Sequence, residues 1–164
     1  MTNPPVFLEG FARPTLILHA ILGVTAVGAA THLAVYALFA LRGRAGSGLR
    51  RFAWLAPALA VPQFAVGLCL YPVYRLRVRV EDFDKNAPFV AQLFDLKEHL
   101  AAIGLALLIA AAVLARIVSR RTSEGGRSDF APALAAVSGS SAALLWAVAI
   151  LGLYVTARHP VGMP

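Results

Sequence analysis

Four long apolar segments are the feature of this sequence that most constrains its fold. The hydrocarbon core of a bilayer is about 30 Å thick, so an α-helix needs about 20 apolar residues to cross it. Segments of that length lie at about residues 15–41, 52–74, 87–118 (apolar part 100–118) and 132–157. The sequence therefore predicts a single-domain, all-α integral membrane protein, folded as an antiparallel four-helix transmembrane bundle.

The composition also favours lipid surroundings. Hydrophobic residues make up 59% of the chain and charged residues only 14%, whereas a soluble domain carries about 25% charged residues. The net charge is +7, but the basic residues lie in short clusters between the apolar segments. The positive-inside rule and anionic headgroups account for such clusters. The lipid bilayer is the predicted partner, and nucleic acid is not, because no contiguous basic face is present.

The connecting segments predict how the chain lies in the membrane. Segments 42–51 and 116–130 share one side and carry eight arginines and two acidic residues. The opposite side, which holds both termini and residues 75–98, carries seven basic and six acidic residues. The short basic segment 42–51 favours the cytoplasm for its side, so the N- and C-termini are expected to be periplasmic. Thirteen of the fifteen basic residues are arginine, which is typical of GC-rich bacteria and indicates a bacterial cytoplasmic (inner) membrane.

Ionisable side chains inside a membrane are costly and are functional candidates by default. The sequence has four histidines, namely His19, His32, His99 and His159. His19 follows Pro14 by five residues, which places it about 7 Å below the outer end of its helix. His99 comes just before the apolar part of the third segment, which enters from the same side. These two imidazoles are therefore expected in the outer leaflet on different helices.

A pair of imidazoles at one depth is what a transmembrane b-type haem requires. His19 and His99 are the predicted axial ligands. Asp95, four residues before His99, is expected to orient that ring by accepting its second N–H. Three arginines at the outer end of the second helix, Arg75, Arg77 and Arg79, are the candidate partners of the haem propionates.

The functional prediction is a small membrane redox subunit that passes electrons to or from quinone or a partner subunit. Motifs of stand-alone soluble enzymes are absent from the sequence, so an electron-transfer or accessory role is favoured over an independent enzyme. Quinone itself is a further candidate ligand for His99, Asp95 and the arginines.

Three alternatives stay open. The chain is a non-catalytic accessory or assembly subunit if its histidines are structural, with outer-face or membrane proteins as partners. It is a small transporter if the deep His32 and the mid-membrane Gln63 line a path, although Gln63 is also expected to satisfy carbonyls freed by Pro62. The third alternative is an outer-face metal or copper site formed by His19, Asp95, Glu98, His99, His159 and Met163.

Residues 75–84 form a separate feature, with arginines and apolar residues in alternation followed by acidic residues. Alternation of this kind predicts a strand. Because an isolated strand is unstable, the segment is expected to pair with a partner protein or to lie along the headgroups. A self-neutralising surface loop is the other interpretation.

Overall fold

The computed structural model describes residues 6–44, 46–123 and 128–158, and every regular element within them is helical. Four helices are long and apolar enough to cross a membrane, which confirms the predicted all-α four-helix fold. In chain order the elements are a 3₁₀ turn at Glu9–Phe11, α1 at Ala12–Leu41, α2 at Ser47–Val73, a π-helical segment at Tyr74–Phe83, the short α3 at Asp84–Asn86, α4 at Pro88–Ser123 and α5 at Ala131–Arg158.

The four long helices alternate in direction around the bundle. Helix α1 packs against α2 and α5, and α4 packs against the same two helices, so α1 and α4 stand diagonally opposite with little contact. We call the end where α1 begins and α5 ends the terminal end, and the opposite end, where α1 leads to α2 and α4 leads to α5, the loop end. Large apolar side chains are exposed along all four helices, which is compatible with contact with lipid.

Small residues build the middle of the bundle and its loop-end half. Buried alanines line the facing surfaces of α1, α2 and α4 around Leu33, Leu108 and Leu134. Small side chains allow transmembrane helices to approach closely. The approach of α4 and α5 is close enough for the Ser141 hydroxyl to donate a hydrogen bond to the Gly104 carbonyl at 3.0 Å.

Larger side chains build the core of the terminal end. The rings of Tyr74 and Phe94 stack with centroids 5.4 Å apart. The Tyr74 hydroxyl lies 3.1 Å from the Thr156 hydroxyl. These contacts join the π-helical segment to α4 and α5, and they hold in place the polar residues described below.

The strand predicted from the alternation in residues 75–84 is wrong, because residues 75–83 continue α2 as a π-helix and Asp84 begins α3. The buried residues of the segment, Tyr74, Val78 and Phe83, follow one another at intervals of four and five, which suits helical bonds from i to i+5. Alternation in a helix sends neighbouring arginines to opposite sides. Arg77 therefore reaches Glu9 before α1, and Arg79 reaches Asp95 on α4.

Candidate functional site

His19, near the terminal end of α1, makes both of its ring contacts with one residue of α2. The Nδ1 atom of His19 lies 3.1 Å from the backbone oxygen of Gln63, and its Nε2 atom lies 3.2 Å from the Gln63 side-chain nitrogen. The carbonyl can only accept, so Nδ1–H donates to it, and Nε2 then accepts from the amide. His19 is thus a neutral imidazole with both nitrogens satisfied.

A glycine on α2 makes room for this ring. A Cβ atom placed at Gly67 would lie 2.9 Å from the Cε1 atom of His19, closer than carbon atoms normally approach. Gln63 was expected to serve carbonyls freed by Pro62, yet its side chain binds His19 instead. At this point of the interface between α1 and α2, Gln63 binds the imidazole and Gly67 leaves the space that it occupies.

The histidine of α4 lies in a different environment. His99 is exposed, and its Nδ1 atom lies 2.7 Å from the backbone oxygen of Asp95. The Asp95 carboxylate, which was expected to accept from His99, binds Arg79 with two bonds, one of them 2.9 Å between Nη2 and Oδ2. The orienting acceptor of His99 is the carbonyl of Asp95, because the guanidinium takes the carboxylate.

The structure does not bring His19 and His99 together. His19 faces α2, whereas His99 is exposed on α4, which lies diagonally across from α1. At this level of α4 the inward positions belong to Phe94, which is 3% exposed, and to Lys97. The Lys97 ammonium lies 4.7 Å from the centroid of the Phe94 ring, and its Cδ atom lies 3.8 Å from a Cβ placed at Gly152 of α5.

Lys97 is the inward residue that the sequence interpretation missed. Its position three residues after Phe94 is the signal that would have placed both on one face of α4. Glu98, a candidate for an outer-face metal site, is only partly exposed and follows Lys97 directly. Among the charged side chains of this turn, that of Lys97 points into the bundle.

The arginines expected to bind propionates mostly bind carboxylates of the chain itself. Arg77 lies 2.7 Å from Glu9 and 2.9 Å from Glu81. Arg79 binds Asp95 and lies 3.7 Å from Asp84. The exposed Arg75 donates instead to the Tyr71 hydroxyl at 2.6 Å. These ion pairs form a network that joins the π-helical segment to the turn before α1, to α3 and to α4 at the terminal end.

The remaining candidates are separate from this network. His32 is exposed, its Nδ1 atom lies 2.8 Å from the Gly28 carbonyl, and its ring stacks on Phe52 at 4.8 Å. Within residues 6–44, 46–123 and 128–158, no group of three or more His, Cys, Asp or Glu side chains is placed to hold a metal ion. His159 and Met163 lie outside the described residues.

The three described histidines share one arrangement. In each, Nδ1 lies within 3.1 Å of a backbone carbonyl oxygen. The carbonyl can only accept, so Nδ1 carries a proton in each ring, and in a neutral ring the lone pair is then on Nε2. An imidazole in this tautomer can accept a hydrogen bond or bind a metal through Nε2.

Comparisons with protein-family models, curated proteins and solved structures found no match to this chain. No activity is therefore carried over from a relative. The chain is a four-helix protein of the membrane-spanning type, and its function is inferred from the contacts at the two ends of the bundle.

Proposed function

We propose that this chain is a non-catalytic subunit of a larger membrane assembly, and that a transmembrane helix of another protein packs on the outward face of α4. The observation that carries the proposal is the presence of two polar side chains, Gln92 and His99, on that face. Both are exposed. They alternate at helical spacing with exposed apolar residues, namely Phe89, Leu96 and Ile103.

The depth of His99 makes its exposure costly in a lone bundle. Lys97, two residues earlier, lies against Gly152, which is about 9 Å inside the end of α5 at 1.5 Å per residue. The Nε2 atom of His99 has no hydrogen-bond partner within the described chain. An unpaired polar group facing hydrocarbon is unfavourable, and a neighbouring helix that supplies a partner relieves that cost.

Photo-crosslinking in the source cells tests this proposal. A crosslinking amino acid replaces His99 in one variant and Leu153 of α5, which is 73% exposed, in a matched control. We expect a discrete protein adduct from position 99 and none of comparable yield from position 153. Equal yields from the two positions, or lipid adducts alone from position 99, would contradict the proposal.

A second candidate function is the predicted redox subunit with one b-type haem, and the shared histidine arrangement favours it. Metal-ligating histidines usually donate their other ring N–H to a carbonyl or carboxylate. His19 and His99 both do so, which leaves each Nε2 as the ligating atom. Ligation of one haem by both rings requires the Gln63 side chain to turn away from His19 Nε2 and requires α1 and α4 to bring together two rings that are apart in this structure. Of Arg75, Arg77 and Arg79, the exposed Arg75 is the one that binds no carboxylate among the described residues, so it could bind a propionate without breaking an ion pair.

Optical spectroscopy separates the two candidates. Protein purified after growth with a haem precursor is measured oxidised and then reduced with dithionite. A haem subunit gives a Soret band that shifts on reduction, and His19→Ala and His99→Ala each abolish it. The matched control is His32→Ala, which removes an exposed histidine with the same backbone contact. A colourless protein that purifies with other membrane chains supports the accessory subunit.

A further inference from the structure

A basic pocket lies at the loop end between α2 and α4. It has a volume of about 280 Å³ and is lined by Arg50, Trp54, Arg116, Ser119 and Arg120. Arg50 and Trp54 are one turn apart on α2, and Arg116 and Arg120 are one turn apart on α4. The two helices therefore present matching pairs of side chains towards a shared space.

Arg116 is the residue that indicates a ligand from outside the chain. Its guanidinium carbon lies 3.5 Å from the centroid of the Trp54 ring, which holds the guanidinium plane in place. Its Nε atom is buried and has no hydrogen-bond partner in the described part of the chain. Buried polar groups are nearly always hydrogen-bonded, so a fixed guanidinium with an unsatisfied donor needs an acceptor.

The level of the pocket identifies where that acceptor comes from. Trp54 lies seven residues after α2 begins, and Arg116 lies seven residues before α4 ends. At 1.5 Å per residue both are about 10 Å inside the helix ends. A long membrane-spanning helix has its ends in the headgroup layers. The pocket is thus level with the boundary between headgroups and hydrocarbon.

We infer that this pocket binds the phosphate group of an anionic phospholipid. A guanidinium presents its donors in a fork that matches phosphate oxygens, and the Ser119 hydroxyl is a further donor. Towards the middle of the bundle, Val61 on α2 and Val113 on α4 are 48% and 49% exposed. They offer an apolar surface to the acyl chains. The inference is independent of the function proposed for the terminal end.

The local charge also favours an anion. Segments 42–51 and 116–130 are the parts of the sequence on this side of the bundle, and together they contain eight arginines and two acidic residues. Basic pockets between transmembrane helices are a known mode of anionic headgroup recognition. A zwitterionic lipid carries a compensating cation that this surface would repel.

The test is lipid retention by purified, delipidated protein in detergent, measured by native mass spectrometry. The probes are phosphatidylglycerol and phosphatidylcholine with identical acyl chains, and inorganic phosphate. We expect phosphatidylglycerol to be retained in preference to phosphatidylcholine. The double variant Arg50→Gln/Arg116→Gln should weaken that retention about tenfold or more, since charge-assisted hydrogen bonds are lost.

The matched control is the double variant Arg51→Gln/Arg121→Gln. It removes the same charge from neighbouring exposed positions of the same two helices and should keep retention within about twofold, since surface charges act weakly. Arg116→Lys keeps the charge but loses the fork, and should lie between the two. Thermal unfolding in the same detergent confirms that the variants are folded.

Three results would overturn the inference. Equal loss in the two double variants would indicate diffuse charge attraction. Equal retention of phosphatidylcholine would show that the pocket does not distinguish an anionic lipid from a zwitterionic one. Displacement of phosphatidylglycerol by inorganic phosphate at equal concentration would identify a free anion as the ligand.

Discussion

The two ends of the bundle differ in the partners of their arginine side chains. At the terminal end, Arg77 and Arg79 bind carboxylates contributed by residues before α1 and by α4. At the loop end, Arg116 stacks on Trp54 and keeps a buried donor without a partner among the described residues. The same residue type thus closes one end and leaves the other open to a ligand.

The difference follows from where the acidic residues lie in the chain. The side of the sequence that forms the terminal end carries six acidic and seven basic residues, whereas segments 42–51 and 116–130 carry two acidic residues and eight arginines. A bundle end with balanced charges can satisfy its cations internally. An end with excess arginine has too few carboxylates to do so, and its positive charge attracts anions of the membrane surface.

The largest effect is expected from filling the space that His19 occupies at the terminal end. Gly67→Leu should lower the free energy of unfolding by about 2–3 kcal/mol, because overpacking displaces the ring from Gln63. The control is Gly139→Leu, where a Cβ atom meets nothing within 4 Å. Denaturant titration in mixed micelles measures both. Equal stability of the two variants would show that the contact between His19 and Gln63 is loose.

A smaller loss is expected from breaking the ion pair that joins the π-helical segment to α4. Arg79→Ala should lower the free energy of unfolding by about 1 kcal/mol, a moderate value because the Asp95 side chain is 38% exposed and water screens the pair. A double-mutant cycle with Asp95→Ala isolates the coupling. Arg121→Ala, at an exposed position of the loop end, should change stability by less than about 0.5 kcal/mol.

The pair between Arg77 and Glu9 should contribute less than the pair between Arg79 and Asp95, because Glu9 lies in the short 3₁₀ turn before α1 and the pair therefore ties down an end segment and not a second long helix. We expect Arg77→Gln to have a smaller effect than Arg79→Ala, and the effect to fade as salt screens the charges. Unfolding at low and high ionic strength measures both trends. A loss of stability that is larger than that of Arg79→Ala and independent of salt would contradict this prediction. It would show that Arg77 stabilises the terminal end more than Arg79 does.

The smallest effect on stability is expected at the loop end. Arg116→Gln loses the stacking on Trp54, worth about 0.5–1 kcal/mol, but it also removes a guanidinium donor that was buried without a partner. The net change in lipid-free detergent should be within about 0.5 kcal/mol. In a Trp146→Phe background the emission of Trp54 should shift, which reports the lost contact. Destabilisation as large as that of Arg79→Ala would remove the contrast between the two ends.

The helical fold could be predicted from the sequence, but most of the candidate site could not. Segment 75–84 shows why local patterns fail, since its alternation is typical of a strand, while its arginines find carboxylates at Glu9 and Asp95. Those partners are distant in sequence, and no pattern within the segment reveals them. The placement of His19 against Gln63 likewise depends on the register between α1 and α2.

The number of spanning helices and the membrane class of the protein were determined by the sequence alone. The reason is that the cost of placing a segment in hydrocarbon depends on the composition of that segment. Only the tertiary structure decided which side chains meet. Each residue turns a helix by about 100°, so the packing of the helices selects whether a side chain such as Lys97 or one such as His99 faces the bundle.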